Sequence, residues 1–331
     1  MKKIRSALAL AGLFTFISIR VHALVINEHF TNDPALDGWQ TFGDTNLFQW
    51  DSTNQVLDVT WDSSQSNSYF FHALGATLTE TNDFTFGFDL QLNDIATGLE
   101  PEYPQTFQVA IGLFNYEEAT NENFVIGTGY NAADIVEFDY FPAFEIYNSS
   151  ITTPIISSEN NFAEIGFTVP FQMVTGAQYH AVLTYTADNQ TLHTTLTSNG
   201  VPVGPIEDTI LGTNFDNFSV DTMSINSYSQ EGQDTNEYDG VIYAGSILAH
   251  GTVNNLFFSD PAPVANITAT SAGVVQLNGT TNWIYTLERT TDFQTWTAVS
   301  APTAGTTGVM SLLDTNPPSG AAFYQVRADL P

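Results

Sequence analysis

The sequence predicts an all-β protein built as a sandwich or jelly roll. Three observations carry that prediction. After Leu24, apolar and polar residues alternate with period two almost everywhere. Clusters of Asn, Asp, Ser and Gly cut the alternation into short runs. No stretch has the apolar spacing of an amphipathic helix of three turns. Many short strands without helices pack as two sheets or close on themselves.

The elements follow in order. Asp51-Ser52-Thr53-Asn54 is a hairpin turn between Leu47–Trp50 and Val56–Trp61. Phe84, Phe86, Phe88, Leu90 and Leu92 give one strand an apolar face, and Phe107, Val109, Ile111 and Leu113 do the same for the next. Tyr179, Ala181, Leu183 and Tyr185 begin a second hairpin, which turns at Ala187-Asp188-Asn189-Gln190 and returns through Leu192–Thr197 to Ser198-Asn199-Gly200. Asp260-Pro261-Ala262-Pro263 interrupts pairing, because two prolines in three residues cannot continue a ladder. The expected organisation is a segment 1–23, a β domain at 24–260, a linker at 261–265 and a small β domain at 266–331.

The N-terminus carries its own message. Lys2, Lys3 and Arg5 precede an apolar run from Ser6 to Ile19, and Val21-His22-Ala23 suits a cleavage site. This layout is that of a secretory signal peptide. The run is shorter than the roughly 20 residues of a bilayer span. The expected location is secreted or extracytoplasmic, at the cell surface or in the periplasm, with no membrane insertion after cleavage.

Charge then excludes whole classes of partner. Between Leu24 and Ala262 there are 32 acidic residues and no Lys or Arg. Nucleic acid is excluded, since phosphate binding relies on Lys and Arg to release counterions. Polyanionic glycans and anionic lipids are disfavoured by the same repulsion. The chain has no cysteine, so disulfides, thiol catalysis and Cys-ligated zinc are also excluded. Carboxylates that repel each other are stabilised by screening. The melting temperature should therefore rise from low to high sodium chloride and rise further with millimolar calcium; an unchanged melting temperature across both would count against this.

Ile135-Val136-Glu137-Phe138-Asp139-Tyr140-Phe141-Pro142 resembles the metal-binding strand of legume-type lectins. The hairpin from Tyr179 to Gly200 is similar to the back-sheet hairpin of concanavalin A-like jelly rolls. The resemblance implies that fold for 24–260. It also implies that Glu137, Asp139 and the carbonyl oxygen of Phe141 bind Ca2+. On a strand, residues i and i+2 face one way, so both carboxylates can converge on a hard cation. The chain departs from the family at Ala143, where an Asn is usual, and Glu145 and Asn148 lie nearby without matching the remaining ligands. A weaker calcium candidate is Asp234-Thr235-Asn236-Glu237-Tyr238-Asp239-Gly240, where Asp234, Asn236 and Asp239 place oxygens on a Gly-ended loop.

The same fold hosts glycoside hydrolases whose strand carries E-x-D-x-x-E. Here Glu137 and Asp139 are present, but Pro142 takes the third acidic position. The leading reading is a lectin-like protein that binds a neutral polysaccharide or glycan. The alternatives are a hydrolase with an atypical carboxylate pair, which would be Glu137 and Asp139, and a structural surface protein. Tyr130, Phe144 and Tyr147 are the candidate sugar-stacking aromatics, while Trp39, Trp50 and Trp61 also precede the linker. His72, His180, His193 and His250 are possible bases, with His180 and His193 expected to pair across their hairpin. The tail, through Tyr285–Asp292, Trp296 and Ala322–Arg327, resembles a C-terminal β module of secreted Verrucomicrobia-type proteins, with Trp283 and Trp296 expected in its core.

Overall fold

The computed structural model describes residues 17–21, 25–99, 105–126, 131–144, 149–163, 170–204, 206, 208–230, 237–238, 241–242, 245–260, 267–271, 273–279, 284–306, 308–318 and 322–329. Two compact units emerge, one of residues 24–261 and one of residues 262–331 with the N-terminal segment.

The larger unit is a sandwich of two mainly antiparallel sheets. A seven-stranded sheet runs Phe162–Ala163, Ser149–Ser157, Ile135–Phe144, Val109–Phe114, Ser219–Ser227, Ser68–Thr79, Gln40–Phe42 from edge to edge. The main path of the ten-stranded sheet is Val201–Pro202, Thr191–Ser198, Gln178–Thr186, Phe84–Thr97, Gly245–Ser259, Val56–Asp62, Phe48–Asp51. The chain crosses repeatedly between the sheets: Val56–Asp62, Ser68–Thr79 and Phe84–Thr97 lie in the ten-, seven- and ten-stranded sheets in turn. The expected all-β sandwich class is what the structure has.

Alternation sets which face each side chain takes. Phe84, Phe86, Phe88, Leu90 and Leu92 are all buried between the sheets, as their spacing required. Phe88 meets Phe138 of the other sheet edge-on at 5.4 Å. Trp39 stacks on Phe70 at 5.0 Å, and Trp61 is buried in the same core. Trp50 is half-buried and donates its indole N–H to the Phe30 carbonyl at 2.9 Å. These three tryptophans thus serve packing.

The predicted turns form as Asx chemistry dictates. Asp51 Oδ1 accepts from the Thr53 and Asn54 backbone N–H groups at 2.8 and 3.0 Å. One four-residue helix, Tyr116–Ala119, is capped by Asn115, whose side chain accepts from the Glu118 N–H.

In the smaller unit, Ile284–Thr290 pairs with Phe323–Asp329, and Ile17–Val21 adds in parallel to the other edge of Phe323–Asp329. Val274–Gly279 lies between Ile267–Ser271 and Gly308–Leu313 in a second, three-stranded sheet. Val275, Leu277, Tyr285, Leu287, Leu312 and Val326 are among its buried core. Trp296 differs from expectation: it is half-buried and is not among the buried side chains of that core, whose aromatics are Tyr285 and Tyr324. Trp283 and the 261–265 linker lie outside the described residues. Both arginines of the tail are internally paired, Arg289 with Asp314 at 2.6 Å and Arg327 with Glu288 at 2.7 Å.

Candidate functional site

Glu137 and Asp139 stand on the Ile135–Phe144 strand, in the middle of the seven-stranded sheet. Val136, Phe138 and Tyr140 enter the main core, so Glu137, Asp139 and Phe141 share the opposite face. Phe141 packs there with Ile151 and Ile155 in a separate small cluster. Across the ladder, Gly112 lies opposite Glu137 and Ala110 opposite Asp139, followed by Ser224 and Asn226 on the next strand. The carboxylates therefore border a floor of small and polar residues. Gly112 is required: a Cβ there would sit 2.4 Å from the Val136 carbonyl oxygen and 2.9 Å from Glu137 Cγ.

Both carboxylates are withdrawn from solvent, each only 1% exposed. Their environments then diverge. Asn226 Nδ2 and the Tyr228 hydroxyl both donate to Glu137 Oε1. Tyr228 sits against the rings of Tyr69, Phe107 and Phe124, at 5.9, 6.4 and 5.9 Å. Neither Asp139 oxygen has a hydrogen-bond partner among the described residues.

Burial pushes the Glu137 carboxyl up to about 8, with the Tyr228 and Asn226 donors opposing the rise. Burial, and then the charge of Glu137, holds Asp139 well above its usual range. An ionised carboxylate without donors in an apolar setting is strongly disfavoured. It is relieved by a proton or by a cation. Asp139 therefore fits a cation ligand: two buried oxygens on one carboxylate, unclaimed among the described residues, with a second carboxylate two residues away. Among the described residues no third His, Asp or Glu joins them in a metal-binding group. The six to eight oxygens that calcium takes would then include backbone carbonyls and water.

The remaining candidates are placed as follows. The Phe144 backbone ends the strand after a register shift between Phe141 and Phe144, and its side chain lies outside the described residues. Tyr130, Tyr147, Asp234, Asn236 and Asp239 also lie outside them, as do Glu145 and Asn148. His180 and His193 do not meet: the register sets His180 opposite Thr197 and His193 opposite Thr184. Each is instead held by a carboxylate, His180 by Asp89 at 2.6 Å and His193 by Asp208 at 2.5 Å. His250 likewise pairs with Asp94 at 2.7 Å. His72 turns both ring nitrogens to backbone carbonyls, those of Ala73 and Asp37.

Asn226, Tyr228 and Gly112 were not singled out from the sequence. Their signal was present as Thr222, Ser224 and Asn226, a polar period-two series on a strand whose alternate residues, Met223 and Ile225, are core. Such a series on a central strand marks a face that is built for something other than hydrocarbon packing.

No protein-family model and no curated protein sequence matches the chain. Among solved structures, the chain is similar to a Lotus tetragonolobus seed lectin at 12% identity and TM-score 0.44, over 73% of this chain and 99% of that one. It is similar to lectin II from Ulex europaeus at 14% identity and TM-score 0.44, over 71% and 97% of the two chains. It is also similar to the carbohydrate recognition domain of Emp47p at 8% identity and TM-score 0.41, over 70% and 95%.

Proposed function

We propose that residues 24–260 form a secreted, non-catalytic module that binds a neutral glycan, and that Ca2+ held by Glu137 and Asp139 organises the site. The observation that carries this reading is Asp139, a buried carboxylate with both oxygens unpartnered among the described residues, beside a second buried carboxylate. Phe141 follows on the same strand face, and its carbonyl is the third ligand proposed. The cation's contribution is electrostatic and structural: it neutralises the pair and fixes the chain that follows the strand. Phe144, Tyr147 and Tyr130 are the aromatics proposed to meet the sugar. The neutral character of the glycan follows from charge. The domain offers no Lys or Arg, and the two arginines of the tail are consumed by Asp314 and Glu288.

A glycan array probed with calcium and with excess EDTA tests this, alongside a reducing-end release assay on β-glucans. The expected outcome is a binding component that EDTA removes, that Asp139→Ala abolishes, and that leaves no new reducing ends. Release of reducing ends that disappears in Glu137→Gln would place the protein among hydrolases.

A further inference from the structure

The outer face of the ten-stranded sheet carries an open depression of about 500 Å³. That size lies within the roughly 300–1,000 Å³ of small-ligand sites. Its centre is Asp89, on the Phe84–Thr97 strand. The register sets Thr197, His180, Asp89 and Asn254 in one row across four neighbouring strands.

A local irregularity shapes the depression. Pairing between Phe84–Thr97 and Gly245–Ser259 shifts between Asn254 and Phe257. Within that bulge Asn255 adopts φ +48°, a left-handed conformation that Asn takes more readily than most residues other than glycine. Bulges of this kind re-aim side chains. Here the bulge turns Asn255 onto Asp89, with Nδ2 donating to Oδ2 at 2.6 Å. It also lays Phe257 over Gly87, where an added Cβ would meet the ring at 2.5 Å. Phe257 lies near-parallel to the His180 ring, with centroids 6.4 Å apart and 23° between planes.

The hydrogen-bond chain assigns each polar role. His180 Nδ1 meets Asp89 Oδ1 at 2.6 Å, so Nδ1 carries the proton and Nε2 is the acceptor. Asn255 gives its amide donor to Asp89, so its oxygen accepts from His29 Nδ1 at 2.7 Å. His29 is thereby fixed in the same tautomer, with Nε2 again the acceptor. The depression thus offers two preset imidazole acceptors and a half-buried aromatic face. The amides of Asn27, Gln178 and Asn199 line it as well.

We propose that this depression is a second saccharide site, taking one neutral pyranose unit of a glycan without any cation. A pyranose combines what the site requires: hydroxyl donors for the two Nε2 atoms and an apolar C–H face for Phe257. An anionic ligand is opposed by Asp89 and by the acidic domain around it. The proposal does not depend on the Glu137–Asp139 site, which lies on the other sheet.

The test uses the full chain in excess EDTA, with saturation-transfer NMR against glucose, galactose, mannose and their β-linked disaccharides. At least one probe should bind. Affinity should fall at least tenfold in both Phe257→Ala and His180→Gln, two substitutions at the outer face, and stay unchanged in Asp139→Asn. Thermal melts confirm that the variants are folded, and because two separate side chains are probed, misfolding of one leaves the other decisive. Absence of binding by every probe in EDTA would overturn the proposal. So would undiminished binding in both outer-face variants, or a site that takes Zn2+ through His29 and His180 in a chelator-free titration and takes no sugar.

Discussion

Replacing Asp139 with Asn is expected to stabilise the cation-free protein at pH 8, and to do so more strongly there than at pH 5. The unfolded chain ionises Asp139 near its ordinary 3.8, whereas burial and Glu137 keep the folded-state value well above that. Above the unfolded value, the folded protein holds a proton that the unfolded chain has lost. Stability then falls by about 1.4 kcal/mol per pH unit for each such group until pH reaches the folded value. Glu137 behaves the same way between 4.5 and about 8. Asp134 and Asp260, each pushed up by burial to about 7, add to the same slope. The wild type in EDTA should therefore be more stable at pH 5 than at pH 8, losing stability steadily between them. Asp139→Asn removes one group from this slope and should match the wild type more closely at pH 5. Urea unfolding at the two pH values checks this; a variant no more stable than wild type at pH 8 would contradict it.

Replacing Gly112 with Ala is expected to destabilise the larger unit by about 3 kcal/mol, at the upper end of overpacking costs. The new methyl would meet the Val136 carbonyl oxygen and the Glu137 backbone, neither of which can turn aside as a flexible side chain would. It would also press on Glu137 Cγ, so any calcium-induced rise in melting temperature should shrink with it. Gly212→Ala is the control, since a Cβ there meets nothing within 4 Å. Its effect should stay within about 0.5 kcal/mol. Equal melting temperatures for the two variants would remove the steric account of Gly112.

Much of the fold was legible because it is written in period two. The phenylalanines from Phe84 to Phe88 and the residues from Tyr179 to Tyr185 alternate so strictly that only one face can be buried. Pairing of Glu137 with Asp139 on one face followed from the same rule. What the period does not encode is which face of a two-sided sheet is covered. Nothing local in Val136-Glu137-Phe138-Asp139 says that both acids lose their water; that depends on Tyr228, Phe107 and Phe124 arriving from distant segments. The outer-face depression was hidden for a related reason. It depends on a bulge at Asn254–Phe257 and on a register that brings His29, Asp89 and His180 together over 151 positions of chain. His180 had suggested a partner on its own hairpin, and found one on the neighbouring strand instead.

The Glu137–Asp139 pair is proposed as a cation site. Calorimetric titration of Ca2+ into the full chain at neutral pH, in two buffers of different ionisation enthalpy, tests it most directly. Because both carboxyls hold protons when no cation is bound, binding should release protons, and the measured heat should differ between the buffers. Asp139→Asn should abolish that event. Absence of saturable binding by the wild type, or an unchanged titration with the same proton release in Asp139→Asn, would contradict the account.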